Sequence, residues 1–180
     1  MTFILTNDLP EKSRNDPELI NSRFAAYRNY LQSIGGKLPA SAYEFAVAEW
    51  HYNPEAHACP HDAWVESLIV SEPCSGDRQQ HRGIQICLRL LAAYHDGRIQ
   101  LTYKDVRSYS LNTPADFQAP PLGVGHGDWL TDEIRLSDLG LVVHEIEFSR
   151  GSRWLIECGD NCLRVADNLN GESGIHDESC

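Results

Sequence analysis

Residues 83–106 read GIQICLRLLAAYHDGRIQLTYKDV, and the periodicity of this stretch decides the fold class. Gly83 to Tyr94 is a long apolar run. From Arg98 onward Ile99, Leu101 and Tyr103 alternate with Gln100, Thr102 and Lys104, the period-two pattern of a half-buried strand. Between the two runs, His95-Asp96-Gly97-Arg98 puts Asp-Gly where a two-residue hairpin turn is expected, with Gly97 at positive φ. Arg107 to Leu111 extends the returning strand past a bulge.

The same pattern continues downstream. Asp128–Leu136, Leu141–Phe148, Ser152–Cys158 and Leu163–Ala166 read as strands separated by the turn sequences SDLG, SRG and GDN. Short turns between strands imply an antiparallel meander. Upstream, Ala63–Val70 alternates as a strand, and residues 73–82, PCSGDRQQHR, form a turn-rich connection. Before that the period changes. Asp16-Pro17 offers an N-cap and a proline at the first helical position; Leu19, Ile20, Phe24, Tyr27, Leu31 and Ile34 follow at helical spacing, and Gly35-Gly36 ends the run. A second helix is expected from Pro39 to Trp50. The fold class is therefore α+β, an N-terminal helical hairpin packed on a mostly antiparallel, meander-like sheet. The 180 residues fit one domain: hairpin 17–50, sheet 62–166 and a polar, flexible tail 168–180. Residues 112–127, rich in proline and glycine, make a long loop of the kind that often carries function.

Composition narrows the function classes. The formal net charge is −11; residues 1–90 carry eight basic and eleven acidic side chains, residues 91–180 seven and fifteen. That balance argues against nucleic-acid backbone as a partner and favours a basic protein. No apolar run approaches the roughly 20 residues that cross a bilayer, and the N-terminus does not read as a signal peptide, so no membrane role is expected and the cytoplasm is the expected location. Six cysteines in a chain this long are expected to be reduced thiols, Cys87 as a small core residue.

Three groups of residues carry possible chemistry. His51, His57, Cys59 and His61 lie within eleven positions and offer zinc-binding donors, so that a metal-binding protein or metal-dependent enzyme using His57, Cys59 and His61 is the alternative reading. The spacing is not that of a common zinc motif, and His51 is explained equally by a helix end, where histidine meets the last carbonyls. Asp128, Asp132, Glu133, Asp138, Glu145 and Glu147 form an acidic set; by alternation Glu145 and Glu147 share one strand face, expected to be solvated. Trp129, beside Asp128 at the end of the long loop, is expected to be half-exposed and to serve as an interface anchor. No nucleophile elbow, dinucleotide fingerprint or phosphate loop occurs, so the chain is read as non-enzymatic, with no catalytic residue and no cofactor assigned.

Three pieces of the sequence together carry a resemblance: His61-Asp62-Ala63-Trp64-Val65-Glu66-Ser67; Tyr94-His95-Asp96-Gly97-Arg98-Ile99 with Tyr103-Lys104-Asp105-Val106; and Asp128-Trp129-Leu130 through Glu147-Phe148 to Trp154-Leu155-Ile156-Glu157-Cys158. Over about residues 60–165 the chain resembles small, uncharacterised bacterial sheet proteins, some of which look like immunity partners of polymorphic toxins. The resemblance implies a cytoplasmic inhibitor that blocks one cognate toxin. On this reading Asp128, Trp129, Asp132, Glu133, Glu145 and Glu147 form the partner-binding surface.

Overall fold

The computed structural model describes residues 2–7, 9–112, 125–159 and 164–167; the interior of the long loop and the tail from residue 168 lie outside the described residues. Three helices precede the strands: α1 (Glu11–Arg14), α2 (Pro17–Ile34) and α3 (Ala40–Val47). The strands are β1 (Trp64–Ser71), β2 (Cys74–Ser75), β3 (His81–Arg82), β4 (Ile84–Leu91), β5 (Arg98–Asn112), β6 (Trp129–Leu136), β7 (Val142–Phe148), β8 (Arg153–Cys158) and β9 (Arg164–Asp167). The main sheet runs β1-β4-β5-β8-β7-β6, with β9 beside the first half of β5, and every pairing in it is antiparallel. The expected α+β class is the observed one.

Helix α2 begins as its sequence dictates. Asp16 Oδ1 accepts the backbone N–H groups of Glu18 and Leu19, at 3.0 and 3.3 Å, ahead of Pro17. Tyr27, Leu31 and Ile34, spaced by four and three, form its buried stripe. Gly35 keeps a right-handed φ of −53°, so it is not a left-handed stop. A Cβ there would sit 2.9 Å from the Tyr43 ring of α3, so a larger residue would push that ring aside. Helix α3 ends at Val47, three residues before the expected boundary.

In the β4–β5 hairpin Leu88 faces Leu101 and Leu90 faces Ile99, all buried. The turn differs from expectation. Ala92 N–H donates to Gly97 O at 3.1 Å, which carries the ladder one pair past Leu91–Arg98, and His95 N–H donates to Ala92 O at 2.9 Å. The left-handed residue is His95, at φ 59°, and Gly97 is not among the positive-φ residues. Histidine is among the side chains that tolerate this region, so Asp-Gly did not need to form the two-residue turn. The bulge in β5 lies between Val106 and Ser108, where the strand leaves β4 and turns to β8. The turn-rich connection contains the small hairpin β2–β3. Cys87 is disulfide-bonded, contrary to the expectation of reduced thiols, and its partner lies outside the described residues; Cys59 and Cys74 are free.

The sheet curls until its two end strands touch. Asp62 N–H donates to Trp129 O at 2.9 Å and Trp129 N–H to Ala63 O at 3.0 Å, joining the entry of β1 to the start of β6. The concave face holds Ile86, Leu88, Leu101, Tyr103, Ile134, Ile146, Trp154 and Ile156, each buried, with α3 in contact with β6 and β9. The free edge of β6 is closed by tyrosines. Tyr27 Oη accepts Ile134 N–H at 2.6 Å and donates to Ile134 O at 3.2 Å; Tyr30 Oη accepts Leu136 N–H at 2.9 Å; Tyr52 Oη donates to Asp132 O at 3.2 Å. Three hydroxyls thus replace a neighbouring strand. Tyr27→Phe leaves a buried N–H and C=O unpaired, and urea unfolding of that variant is expected to show a loss of about 1–3 kcal/mol; an unchanged midpoint would show that the hydroxyl does not cap this edge.

Candidate functional site

Strict alternation from Trp129 would put Asp132 on the opposite face. A register shift between Trp129 and Thr131 cancels one residue, and both side chains turn inward. Asp132 becomes the hub of a buried polar cluster. Its Oδ1 accepts from the Trp129 indole N–H at 3.0 Å, its Oδ2 meets His144 Nε2 at 2.8 Å, and His51 Nε2 lies 3.0 Å from both oxygens. His144 Nδ1 meets Tyr103 Oη at 2.8 Å, and His51 Nδ1 meets Phe45 O at 2.9 Å. The His51 ring lies between Phe45 and Tyr52, with both ring centroids 4.0 Å away. Cys59 Sγ donates to His51 O at 3.0 Å.

The protons can be assigned from these partners. Both nitrogens of His51 face acceptors, a carbonyl and a carboxylate, so each carries a proton and the ring is a cation. His144 donates from Nε2 to the carboxylate, and its Nδ1 meets the Tyr103 hydroxyl, which can donate or accept. Asp132 and His51 then form a buried ion pair. Burial by itself would raise the Asp132 carboxyl; the charge of His51 and the hydrogen bonds from His144 and His51 outweigh it and hold the group well below the usual carboxylate range. Desolvation raises the Tyr27 and Tyr52 hydroxyls and the Cys59 thiol, so all three stay protonated at neutral pH.

Tyr103, His144, Asp132 and His51 have the composition of an acid–base relay. None of them is open to a substrate: all four are buried, and the cavity touching Asp132, His51 and Trp129 holds about 70 Å³, far below a small-molecule site. The arrangement locks structure.

The expected acidic interface is corrected by burial. Trp129 and Glu133 are 0 % exposed, Glu147 0 %, Asp132 1 % and Glu145 5 %. The convex face is covered, not solvated, along β7 and at Glu133 of β6. Glu133 Oε2 accepts the N–H groups of Phe3 and Ile4 at 2.7 and 3.0 Å, and Glu147 Oε2 those of Thr6 and Asn7 at 2.7 and 3.1 Å. Glu133 lies 2.7 Å from Arg135, and Glu145 pairs with Arg135 and Arg153. These carboxylates hold an N-terminal strap, residues 3–7, onto the sheet, and a partner cannot reach them in this fold. Asp128 alone of the six stays partly open. It accepts the indole N–H of Trp64 at 2.8 Å, and Trp64, 47 % exposed, is the tryptophan that faces solvent at this corner. The two line a cavity of about 400 Å³ with His126 and Arg150.

His57, Cys59 and His61 do not converge. His57 pairs with Asp96 and stacks on Tyr94 at 4.3 Å; Cys59 is buried on the His51 carbonyl; His61 lies 3.2 Å from Asp62. Among the described residues no group of three His, Cys, Asp or Glu side chains is placed to hold a metal ion. His51 does meet the last turn of α3, as its position in the sequence suggests. His144 was not singled out; its one signal was a histidine inside the apolar run VVHEIEF, whose seven residues are all buried. Neither a family model, nor a curated protein, nor a solved structure matches this chain.

Removing one partner of a buried ion pair typically costs about 3–5 kcal/mol. Asp132→Asn is expected to lower stability by that amount at neutral pH, read from urea unfolding. Because the folded Asp132 carboxyl titrates below its unfolded value of about 3.9, its contribution is full above that pH and lost as pH falls through the folded value. The gap between wild type and variant should therefore shrink below about pH 4. Burial raises Glu133, opposed by the Phe3 and Ile4 amides, so its stabilisation has the opposite sign and fades as pH rises. A gap that stays constant into acid would contradict an ionised Asp132.

Proposed function

We propose that the protein is a non-enzymatic binding protein of the immunity type, which blocks a basic protein such as a cognate toxin. Its docking surface is the outer edge of β1 together with the Trp64–Asp128 corner. The reading rests on the difference between the two sheet edges. That of β6 is capped by three tyrosines. That of β1, from Glu66 to Ser71, has no backbone partner among the described residues, and Ile69 and Val70 are 49 % and 41 % exposed. An open apolar edge invites an added strand, and proteins that do not use such an edge usually blunt it. Glu66 already engages Arg89 and Arg98, each at 2.9 Å, so the cations beside this edge are paired. With a net charge of −11, the chain then complements a basic partner.

The alternative, zinc at His57, Cys59 and His61, requires all three side chains to leave the partners described above. No helix among the described residues is long and apolar enough to cross a membrane. A cytoplasmic setting is in tension with the bonded Cys87, because cytosolic thiols are kept reduced. Alkylation of protein taken directly from its host separates the two: six modified cysteines fit the cytoplasm, and two fewer fit an oxidising compartment.

The test uses the product of the neighbouring gene, co-expressed and purified as a candidate partner. Ile69→Lys and Val70→Lys should each weaken binding by about 2 kcal/mol or more, chiefly through faster dissociation, while thermal stability stays near wild type because both side chains are exposed. Added salt should slow association. A partner that binds both variants as tightly as wild type would remove the β1 edge from the proposal, and a neighbour that neither binds nor loses toxicity would remove the inhibitor reading.

A further inference from the structure

The strap, the first two helices and the start of β6 enclose a groove of about 350 Å³. Its composition is unusual for this chain. The sequence holds 26 acidic residues, yet none of the groove's described lining residues is acidic, and Arg14, Arg23 and His61 all border it. The two guanidinium groups are held in place by neutral carbonyls. Arg14 donates from Nε to Leu9 O at 3.0 Å and from Nη2 to Asn7 O at 2.9 Å; Arg23 donates from Nη2 to Leu5 O at 2.8 Å. Neither has a carboxylate within 4.0 Å among the described residues. Two further donors at this groove, Arg23 Nε and Asn7 Nδ2, are buried and have no hydrogen-bond partner.

Two guanidinium groups without a salt-bridged carboxylate, beside unsatisfied donors, suit an oxyanion, since guanidinium matches carboxylate and phosphate geometry. The remaining walls are apolar: Ile4, Leu9, Ile20, Phe24 and Leu130. We propose that this groove binds a small amphipathic acid. A carboxylate or phosphate monoester head meets Arg14 and Arg23, and a short aliphatic body lies against Ile20, Phe24 and Leu130. Glu133 feels the Arg23 charge without an ion pair, while its Oε2 and that of Glu147 are taken up by backbone N–H groups of the strap. The groove is distinct from the β1 edge, so this inference stands or falls apart from the inhibitor reading.

The experiment titrates the full chain with hexyl phosphate, hexanoate, hexanol and inorganic phosphate, followed by calorimetry and by the arginine Nε–H signals in NMR spectra. At least one of the two amphipathic acids should bind saturably, shift the Arg14 and Arg23 signals and raise the melting temperature. The tighter of the two identifies the head group. Hexanol and inorganic phosphate should each bind at least about tenfold more weakly, since each lacks one half of the ligand. Arg14→Gln and Arg23→Gln should each reduce affinity about tenfold or more, the loss expected for one charge-assisted hydrogen bond. Leu130→Glu, which puts a carboxylate into the groove, should abolish binding. The wild-type NMR titration needs no variant and keeps the test valid if a substitution unfolds the protein. The proposal is overturned if neither acid binds saturably, if hexanol or inorganic phosphate binds as well as the acids, or if the shifted signals are not those of Arg14 and Arg23.

Discussion

A carboxylate with no exposed surface must be neutralised where it stands, and at Asp132 this requirement ties together parts of the chain that are far apart in sequence. The isolated ion would cost several kcal/mol in the interior even after relaxation. His51 supplies the counter-charge from beyond α3, Trp129 an indole N–H across a bulge in the same strand, and His144 a ring N–H from β7. Tyr103 orients His144 from β5. The helical connection therefore cannot detach from the curled sheet without leaving Asp132 unpaired. The corner where β1 meets β6 depends on the same residues, since Trp129 makes both of its backbone bonds there.

A second set of carboxylates works the same way on the convex face. Glu133 and Glu147 accept the amides of the N-terminal strap, and Glu145 collects two arginines. Acidic residues that look like an interface when read along the strand are internal ties in three dimensions. Among the described residues the surface offers instead a strand edge without a backbone partner, with an exposed tryptophan at its end, and a groove bordered by two arginines.

The fold was legible wherever period and turn chemistry agree. The alternation in β5, the Asp16-Pro17 cap and the Val106 bulge follow from local sequence, and the strands after the long loop came out within a residue or two of their bounds. The site was less legible for three physical reasons. One bulge residue inverts the facing of Trp129 relative to Asp132, and periodicity carries no mark of it. The strand β7 is covered on both faces, so its charged residues alternate with apolar ones exactly as they would on a solvated face while meeting an N-terminal strap some 140 residues away in sequence. The left-handed turn residue is His95, because the hairpin closes on Ala92 and Gly97 around residues 93–96 and not on His95 and Arg98 around Asp-Gly. His51 was partly legible, since a histidine just past a helix end has carbonyls to meet; its second bond, to Asp132, depends on the tertiary fold.

The account stands on the charge state of one ring. Heteronuclear NMR of protein labelled with nitrogen-15 at histidine reports the protonation of each ring nitrogen directly. At neutral pH His51 is expected to carry protons on both Nδ1 and Nε2, slow to exchange with water. A bare nitrogen on His51 at neutral pH would mean that Asp132 is not held as the buried anion of an ion pair, and would contradict the account.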